Sequence, residues 1–129
     1  MTTASMKLLL VDDDAFLRDM YATKFSDSGY DVQVAETAHQ ALSLLEKTPN
    51  VDVILLDMVM PGMSGIELIE EIKLSFPTST AACIVLSNQG EESDVAAATK
   101  AGAAGYIIKA EAIPSDVVQQ VREIIGDNK

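Results

Sequence analysis

Cysteine and histidine are nearly absent from this sequence of 129 residues, and their scarcity limits the chemistry it can carry. Cys83 is the single cysteine, so no disulfide can form within the chain. Because it lies in the apolar run of residues 81–86, we predict a buried thiol in a reducing compartment. His39 is the single histidine. With no second histidine or accessible cysteine to share a metal ion, it is predicted to be a solvated surface residue.

Basic residues and long apolar runs are also scarce. The chain has 9 lysines and arginines against 20 acids, which gives a formal net charge of -11. A surface of this charge repels nucleic acid and anionic lipid, and it favours soluble, metal-binding or basic partners. No apolar run is long enough to span a membrane or to form the core of a signal peptide. We therefore expect a cytoplasmic protein that binds neither nucleic acid nor membrane.

The pattern of apolar residues predicts an α/β fold in a single domain over residues 1–129. With 48% hydrophobic residues, the chain can bury a core and is not expected to be disordered. Five short apolar runs predict strands over residues 7–11, 32–35, 53–56, 82–86 and 105–108. A helical pattern follows each strand, with no repeat or linker between them. Such alternation implies right-handed crossovers and a parallel sheet with helices on both faces.

The first predicted helix covers residues 15–28. Asp14 is placed to cap its N-terminus, and Phe16, Met20 and Phe25 are its candidate core residues. Capping explains Asp14, the last acid in a run of three, and leaves the two acids before it without a structural role.

The later helices differ in how much apolar surface they offer. Capping-box patterns at Thr37 with Gln40 and at Ser64 with Glu67 open the second and third helices, which carry regular apolar stripes. The fourth helix, over residues 91–101, has few large apolar residues. A helix with so little to bury is predicted to be loosely held.

Polar side chains follow four of the five predicted strands. The first strand ends on Asp12 and Asp13, the third on Asp57, the fourth on Ser87 and the fifth on Lys109. The carboxyl ends of parallel strands share one edge of a sheet, where open α/β proteins bind ligands. Taken alone, Asp57 is as consistent with a helix cap or a solvated acid as with a functional group. Its position beside the other four residues is what indicates a site.

The residue types at this edge suit phosphoryl transfer to a carboxylate. Three neighbouring carboxylates repel one another, and a hard divalent cation such as Mg²⁺, which prefers oxygen ligands, would relieve that repulsion. The Ser87 hydroxyl and the Lys109 ammonium are donors for anionic oxygens. A metal ion and hydrogen-bond donors around a carboxylate are the groups needed to move a phosphoryl group onto it.

At these positions the chain resembles the receiver domains of two-component response regulators. The resemblance covers nearly the whole chain, in the family's order and spacing, through residues 10–14 (LVDDD), 55–65 (LLDMVMPGMSG), 85–87 (VLS) and 102–109 (GAAGYIIK). It implies a flavodoxin-like, doubly wound sheet of five strands in the order 2-1-3-4-5 with five helices. It also implies a single-domain receiver similar to chemotaxis regulators, with no output domain within residues 1–129.

The resemblance implies a role for each residue of the site. Asp57 would accept a phosphoryl group from a sensor histidine kinase or a histidine phosphotransfer protein. Mg²⁺ would be held by Asp13, Asp57 and the backbone carbonyl of Val59, and Asp12 would act mainly through a metal-bound water. Lys109 would pair first with Asp57 and then with the phosphoryl oxygens.

The resemblance also implies a switch and an output. Ser87 would move to bond the phosphoryl group, and Tyr106 would swing inward with it. This movement would change the surface of the fourth helix, fifth strand and fifth helix, which would bind an output partner protein or act on a missing output domain. Such a protein catalyses only its own phosphorylation and dephosphorylation, and it is not a turnover enzyme on external substrates.

Three positions near the site distinguish this chain within the family. The family often has a proline with a cis peptide after the lysine. Here Ala110 follows Lys109, and a cis bond before alanine costs about 3–4 kcal/mol. Val59 and Gln89 occupy the positions two residues after the acid and the hydroxyl, which line the path of the hydrolytic water. Val59 cannot hold that water and Gln89 is not a strong base, so we expect slow hydrolysis.

Three other interpretations fit parts of the sequence. Residues 8–14 match the start of haloacid dehalogenases, with Asp12 as nucleophile and Asp14 as general acid. That interpretation leaves residues 57–62 unexplained, and the chain is short for such an enzyme. A receiver-like binding module that works without phosphate would not need the complete set of phosphorylation residues. A flavodoxin-type cofactor binder would need a phosphate loop, and none is obvious.

Overall fold

The computed structural model describes residues 6–88, 90–109 and 113–126. Within them, strands and helices alternate as predicted. The strands are β1 (Lys7–Val11), β2 (Asp31–Ala35), β3 (Val53–Leu56), β4 (Ala82–Ser87) and β5 (Gly105–Ile108). The helices are α1 (Ala15–Asp27), α2 (Ala38–Lys47), α3 (Gly65–Ser75), α4 (Glu92–Ala101) and α5 (Pro114–Ile125). The strand and helix ranges given above from the sequence agree with these bounds to within one residue.

All five strands are parallel and form one sheet in the order β2-β1-β3-β4-β5, which confirms the predicted flavodoxin-like fold. Val11, the last residue of β1, pairs with Leu56, the last residue of β3. The residues that follow them, Asp12 and Asp57, therefore emerge side by side at the carboxyl edge of the sheet. The last residues of β4 and β5, Ser87 and Ile108, pair in the same way. Leu56 pairs with Val85, so β4 and β5 extend two residues beyond β1 and β3 at this edge.

The two faces of the sheet carry separate cores. Alternate residues of β1 point to opposite faces, with Leu9 and Val11 in one cluster and Leu8 and Leu10 in the other. Helices α2, α3 and α4 cover the first cluster, and α1 and α5 cover the second. All four residues of β3 are buried. A strand buried on both faces is fixed in register, so the residue that follows β3 has a well-defined position.

Two helices begin at the side-chain caps that the sequence predicts. The Asp14 carboxylate accepts a hydrogen bond from the amide of Leu17 (3.1 Å) at the start of α1. Ser64 and Glu67 form a complete reciprocal box at the start of α3. The Glu67 amide donates to the serine hydroxyl (3.2 Å), and the Ser64 amide donates to the glutamate carboxylate (2.9 Å). Each cap satisfies backbone amides that the first turn of a helix leaves without partners.

The capping box predicted at α2 is only half formed. The Thr37 hydroxyl accepts from the Gln40 amide (3.1 Å), as expected. The Gln40 side chain, however, accepts from the amide of Glu36 (2.6 Å) instead of that of Thr37. The Gln40 side chain thus bonds an amide one residue further back along the chain, just after β2.

Phe16 was predicted to lie in the core, and this prediction is wrong: the residue is 75% exposed. In α1 the buried residues are Tyr21 and Phe25, which are spaced by four and face the sheet together. Phe16 precedes Phe25 by nine residues, or about two and a half turns, so it points to the opposite side of the helix. Met20 is half-buried and packs against the core, as expected.

The predicted burial of Cys83 and the predicted exposure of His39 are confirmed. Cys83 is 1% exposed in the core of β4, and burial raises the pKa of its thiol. His39 is exposed in the first turn of α2. None of the helices in the described part of the chain is long and apolar enough to cross a membrane.

Candidate functional site

Three carboxylates meet at the carboxyl edge of the sheet. Each of Asp12, Asp13 and Asp57 offers one oxygen, and these oxygens all lie within 4.8 Å of one another. Asp12 is buried, Asp57 is half-buried and Asp13 is exposed. The cluster forms because β1 and β3 are neighbours that end at the same level, as the sequence predicts. Carboxylate oxygens at this spacing suit a single hard cation.

The Lys109 ammonium lies between two of these acids. Its Nζ atom is 3.2 Å from Asp12 Oδ2 and 3.2 Å from Asp57 Oδ2. The lysine side chain is 6% exposed, and the side chains of the two acids are 2% and 15% exposed. Lys109 follows β5, so it reaches past the end of β4 to make these contacts. One cation among three carboxylates leaves the cluster negative, which favours the binding of a further cation.

Burial and charge oppose each other within this cluster. Burial raises the pKa of the Asp57 carboxyl group, Lys109 lowers it and the Asp12 charge raises it, with a net upward shift. Burial lowers the pKa of the Lys109 ammonium, but Asp57 and Asp12 outweigh this and raise the pKa above its ordinary value. Lys109 is therefore a stable cation at neutral pH. The ionised form of Asp57 is costly, and an additional cation beside it would stabilise it.

Asp12 is held by four hydrogen bonds. Its amide donates to the Ala35 carbonyl (3.1 Å). Its carboxylate accepts from the Asp14 amide (2.9 Å) and from Lys109 (3.2 Å). Its own carbonyl accepts from Arg18 (2.9 Å), a residue that the sequence did not single out. With both carboxylate oxygens engaged and only 1% of its surface exposed, Asp12 is the most firmly fixed of the three acids.

Tyr21 is a second residue near the site that the sequence did not identify. It is 3% exposed in the core between the sheet and helices α1 and α5, and burial raises the pKa of its phenol. The charge of Lys109 lowers this pKa and that of Asp12 raises it, so the phenol lies within electrostatic reach of both. The sequence signal that could have found Tyr21 is its spacing of four residues from Phe25, which places the two aromatic side chains on the same face of α1.

Ser87 and Tyr106 lie on the adjacent strands β4 and β5. Ser87 ends β4 and is 6% exposed. Burial raises the pKa of Tyr106, the nearby Ser87 hydroxyl lowers it, and the charges of Asp94 and Asp57 raise it. The tyrosine therefore lies within electrostatic reach of both the acid cluster and the first turn of α4.

The connection from β3 to α3 packs directly against Asp57. The Val59 amide donates to Asp57 Oδ1 (3.3 Å), while the Val59 side chain is 77% exposed. A side chain at Gly65 would overlap the carbonyl oxygen of Asp57. Any other residue at the start of α3 would therefore displace the acid, which explains the glycine at this position.

Two positions considered in the sequence, Gln89 and Ala110, lie outside the described residues. Gly90, beside the first of them, is described. A Cβ atom at Gly90 would lie 2.6 Å from Cδ1 of Ile108 and 3.3 Å from Cε1 of Tyr106. Gly90 is thus pressed against β5, next to the switch tyrosine expected from the sequence.

Comparison with known proteins gives consistent matches. Residues 8–122 match the family model of the response regulator receiver domain. The chain is 31% identical over 122 residues to the chemotaxis protein CheY homolog of Campylobacter jejuni subsp. jejuni. That match covers 94% of this chain and 93% of the homolog. It is 34% identical over 119 residues to the phosphate regulon transcriptional regulatory protein PhoB of Pseudomonas aeruginosa. That match covers 92% of this chain and 51% of PhoB, so the chain spans about half the length of this relative.

The structural match is also extensive. The fold is similar to a chain in the crystal structure of the CheX-CheY-BeF3-Mg complex from Borrelia burgdorferi, with a TM-score of 0.83 and 27% sequence identity. The match covers 92% of this chain and 88% of that chain. The family match in the sequence includes every site residue from Asp12 to Lys109. The chain therefore belongs to the response regulator receiver domains of two-component systems.

Proposed function

We propose that Asp57 accepts a phosphoryl group from the phosphohistidine of a sensor histidine kinase or a histidine phosphotransfer protein. The observation that supports this proposal best is the Lys109 ammonium, which lies 3.2 Å from both Asp57 and Asp12. Asp57 alone among the three acids combines contact with this lysine and a partly open carboxylate. Asp12 is buried with both oxygens bonded, which also disfavours its role as a dehalogenase-type nucleophile.

In the proposed transfer, an oxygen of the Asp57 carboxylate attacks the phosphorus atom of the donor. The bond between phosphorus and the imidazole nitrogen breaks, and its electron pair stays on the nitrogen. Lys109 is placed to donate to a phosphoryl oxygen, because it already donates to the carboxylate oxygen of Asp57. The Ser87 hydroxyl, at the end of the neighbouring strand, is a second candidate donor.

The acid cluster fits Mg²⁺, the ion that receiver domains bind at an acidic pocket. We propose that Asp13, Asp57 and the Val59 carbonyl hold it, with Asp12 acting through a bound water. When bound, Mg²⁺ would neutralise charge on the phosphoryl oxygens. Millimolar Mg²⁺ should therefore raise the melting temperature, since the unfolded chain has no such cluster. Asp13→Ala should lose most of this increase, and an unchanged melting temperature in the wild type would contradict the assignment.

Phosphorylation is tested with acetyl phosphate and Mg²⁺, followed by mass spectrometry to map the adduct. We expect one phosphoryl group on Asp57, and Asp57→Asn should abolish it. Asp27→Asn is the matched control, because Asp27 is an exposed acid at the far end of α1 and should label like the wild type. Labelling of Asp57→Asn at the wild-type rate would refute the proposal.

The output surface is proposed to be α4, β5 and the start of α5. Tyr106 connects this surface to the site, since the Ser87 hydroxyl and the Asp57 charge both act on the pKa of its phenol. A phosphoryl group that draws the Ser87 hydroxyl would change the surroundings of the tyrosine and its position. The close packing of Gly90 on Tyr106 and Ile108 offers a route from the tyrosine to the segment before α4.

The lifetime of the phosphoryl group is proposed to be long, with Val59 and Gln89 beside the path of the attacking water. The Val59 side chain is apolar and 77% exposed, so it cannot orient a water molecule. Val59→Asn should speed the loss of phosphate after the donor is removed, while the rate of phosphorylation changes little. Decay as slow as that of the wild type would show that lifetime is set elsewhere.

We propose that residues 1–129 act as one receiver domain in the cytoplasm. The phosphoryl donor and the output partner would be proteins, and neither nucleic acid nor membrane is a proposed direct partner. Output would pass to a separate protein or to a domain outside these residues. The domain would catalyse only its own phosphorylation and dephosphorylation, with no turnover of external substrates.

A further inference from the structure

We infer that Arg18 is a positioning residue for the acid cluster, holding the peptide between Asp12 and Asp13 in the orientation that metal binding needs. The inference rests on the proposed Mg²⁺-dependent phosphorylation of Asp57. It concerns a residue on α1 that contributes no ligand and contacts no reacting atom.

The contacts of Arg18 tie three segments together. Its Nη1 atom donates to the carbonyl oxygen of Asp12 (2.9 Å), and its Nη2 atom lies 3.7 Å from a carboxylate oxygen of Glu36. The arginine side chain is 13% exposed, whereas that of Glu36 is 63% exposed. The planar guanidinium thus bridges the residue after β1 and the residue after β2 from its place on α1. Lysine cannot reproduce two such contacts in fixed directions.

The bond to the Asp12 carbonyl has consequences for Asp13. A peptide unit is planar, so fixing the carbonyl oxygen of Asp12 fixes the amide and the Cα position of Asp13. The other polar atoms of Asp12 are bonded to Ala35, Asp14 and Lys109, and none of these bonds is made to the peptide between Asp12 and Asp13. The bond from the Asp14 amide fixes the peptide after Asp13, and Arg18 fixes the peptide before it. Arg18 is therefore the side-chain contact that sets how the chain enters Asp13.

Charge and position predict opposite effects of removing this arginine. A guanidinium near a cation site repels the cation, so the loss of its charge alone would tighten Mg²⁺ binding. Loss of an orienting contact would weaken binding, because residues that orient metal ligands typically contribute about 10–100-fold in affinity. The direction of the change in Arg18→Met therefore decides between the two roles.

The chain offers a matched control in its other arginine. Arg122, on α5, donates to the carbonyl of Ser28 (3.0 Å) just after the far end of α1. Arg122→Met removes the same charge and the same kind of hydrogen bond, but away from the acid cluster. It reports what the loss of one arginine–carbonyl bond does to the fold alone.

The experiment measures the dissociation constant for Mg²⁺ by calorimetry without a phosphodonor, and then the Mg²⁺ concentration that gives half-maximal labelling by acetyl phosphate. We expect Arg18→Met to raise both values roughly tenfold. Arg18→Lys should recover part of the loss, since an ammonium can donate to the carbonyl. Arg122→Met should leave both values within about twofold of the wild type.

Equal or tighter Mg²⁺ binding by Arg18→Met would overturn the inference. Should that variant fail to fold in chelator, Arg18→Ala, which also removes the bond to the Asp12 carbonyl, takes its place, and wild-type values in Arg18→Ala would overturn the inference as well. A wild-type protein that neither binds Mg²⁺ nor labels would refute the proposed function itself. A wild-type protein that does both, alongside an unaffected Arg18→Met, would refute only the role of Arg18.

Discussion

Helices α3 and α4 pack on the same face of the sheet and follow the strands that end at Asp57 and Ser87, yet they are held very differently. α3 begins at a complete capping box and buries Gly65, Leu68, Ile69 and Ile72. Of the ten residues of α4, all of which the structure describes, Ala98 alone is buried, and its N-cap residue, Glu91, makes no side-chain cap. Burial and capping thus anchor α3, which follows the proposed phosphoryl acceptor, much more firmly than α4, which follows the proposed switch residue.

The difference in burial corresponds to a large difference in free energy. Complete burial of one leucine or isoleucine side chain stabilises a fold by about 1.5–3 kcal/mol, and one methylene-sized group contributes about 0.8 kcal/mol. Three large buried side chains on α3 therefore outweigh the single methyl group of Ala98. In the proposed mechanism, α3 would keep the acceptor in place, and a few new hydrogen bonds at Ser87 would be enough to bias the position of α4.

The largest expected effect is on α3. Leu68→Ala should lower the free energy of unfolding by about 2–5 kcal/mol, because Leu68 is 0% exposed and its removal leaves a cavity. Leu74→Ala on the same helix is the control, since Leu74 is 77% exposed and its loss should change stability by no more than about 0.5 kcal/mol. Urea denaturation measures both. If the two variants lost equal free energy of unfolding, burial would not be what holds α3, and the comparison with α4 would fail.

A smaller effect is expected in hydrogen exchange. Amides of α4 should exchange faster than those of α3 in the unphosphorylated protein, because less apolar contact holds α4 closed. Addition of acetyl phosphate and Mg²⁺ should change protection mainly in α4 and β5, by roughly 1–3 kcal/mol, the usual size of coupling between two sites. Mass spectrometry of peptides reports this directly. Changes confined to α1 would contradict the proposed output surface.

The smallest effect concerns the first turns of the two helices. Ser64→Ala should cost about 1 kcal/mol, because it removes the hydroxyl that caps the Glu67 amide. Glu91→Ala should cost much less, since the Glu91 side chain caps no amide of α4. Thermal unfolding of the two variants, compared with the wild type, tests the difference. If Glu91→Ala proved the more damaging, α4 would be held at its start by contacts other than a cap.

The sheet and the central acids were predictable because apolar runs end abruptly on polar residues. Residues 53–56 form a short apolar run that is β-branched at its start, which favours a buried strand. The parallel sheet then brings Asp12, Asp57 and Lys109 to one edge. Strand order followed from the resemblance to a known family, since alternating strands and helices alone permit several orders. The small buried surface of α4 was also predictable, because it depends on the size of the residues more than on the direction in which they point.

Two kinds of feature could not be predicted in the same way: the direction in which a side chain points, and a hydrogen bond whose partner is a backbone group. Phe16 was placed in the core because it is large and apolar, but the face of α1 is set by Tyr21 and Phe25. Arg18 gave no signal, because its partner is a carbonyl oxygen, which every residue possesses. The Gln40 side chain caps Glu36 instead of Thr37 for a related reason, since neighbouring amides are alike in sequence.

The burial of Cys83 makes the single thiol a natural reporter of motion in the core over β4. Cys83 pairs with Ile54 of β3, and burial raises the pKa of its thiol although Lys73 of α3 lowers it. The thiolate is the nucleophile that attacks an alkylating reagent, so alkylation at neutral pH must wait until the helices that cover this face of the sheet move away and admit water. Because β3 and β5 lead to Asp57 and Lys109, the rate of that reaction measures how often the framework of the site opens. No cysteine need be introduced or removed. If phosphorylation tightens the core, Cys83 should be alkylated more slowly in the phosphorylated protein, and the ratio of the two alkylation rates measures the tightening.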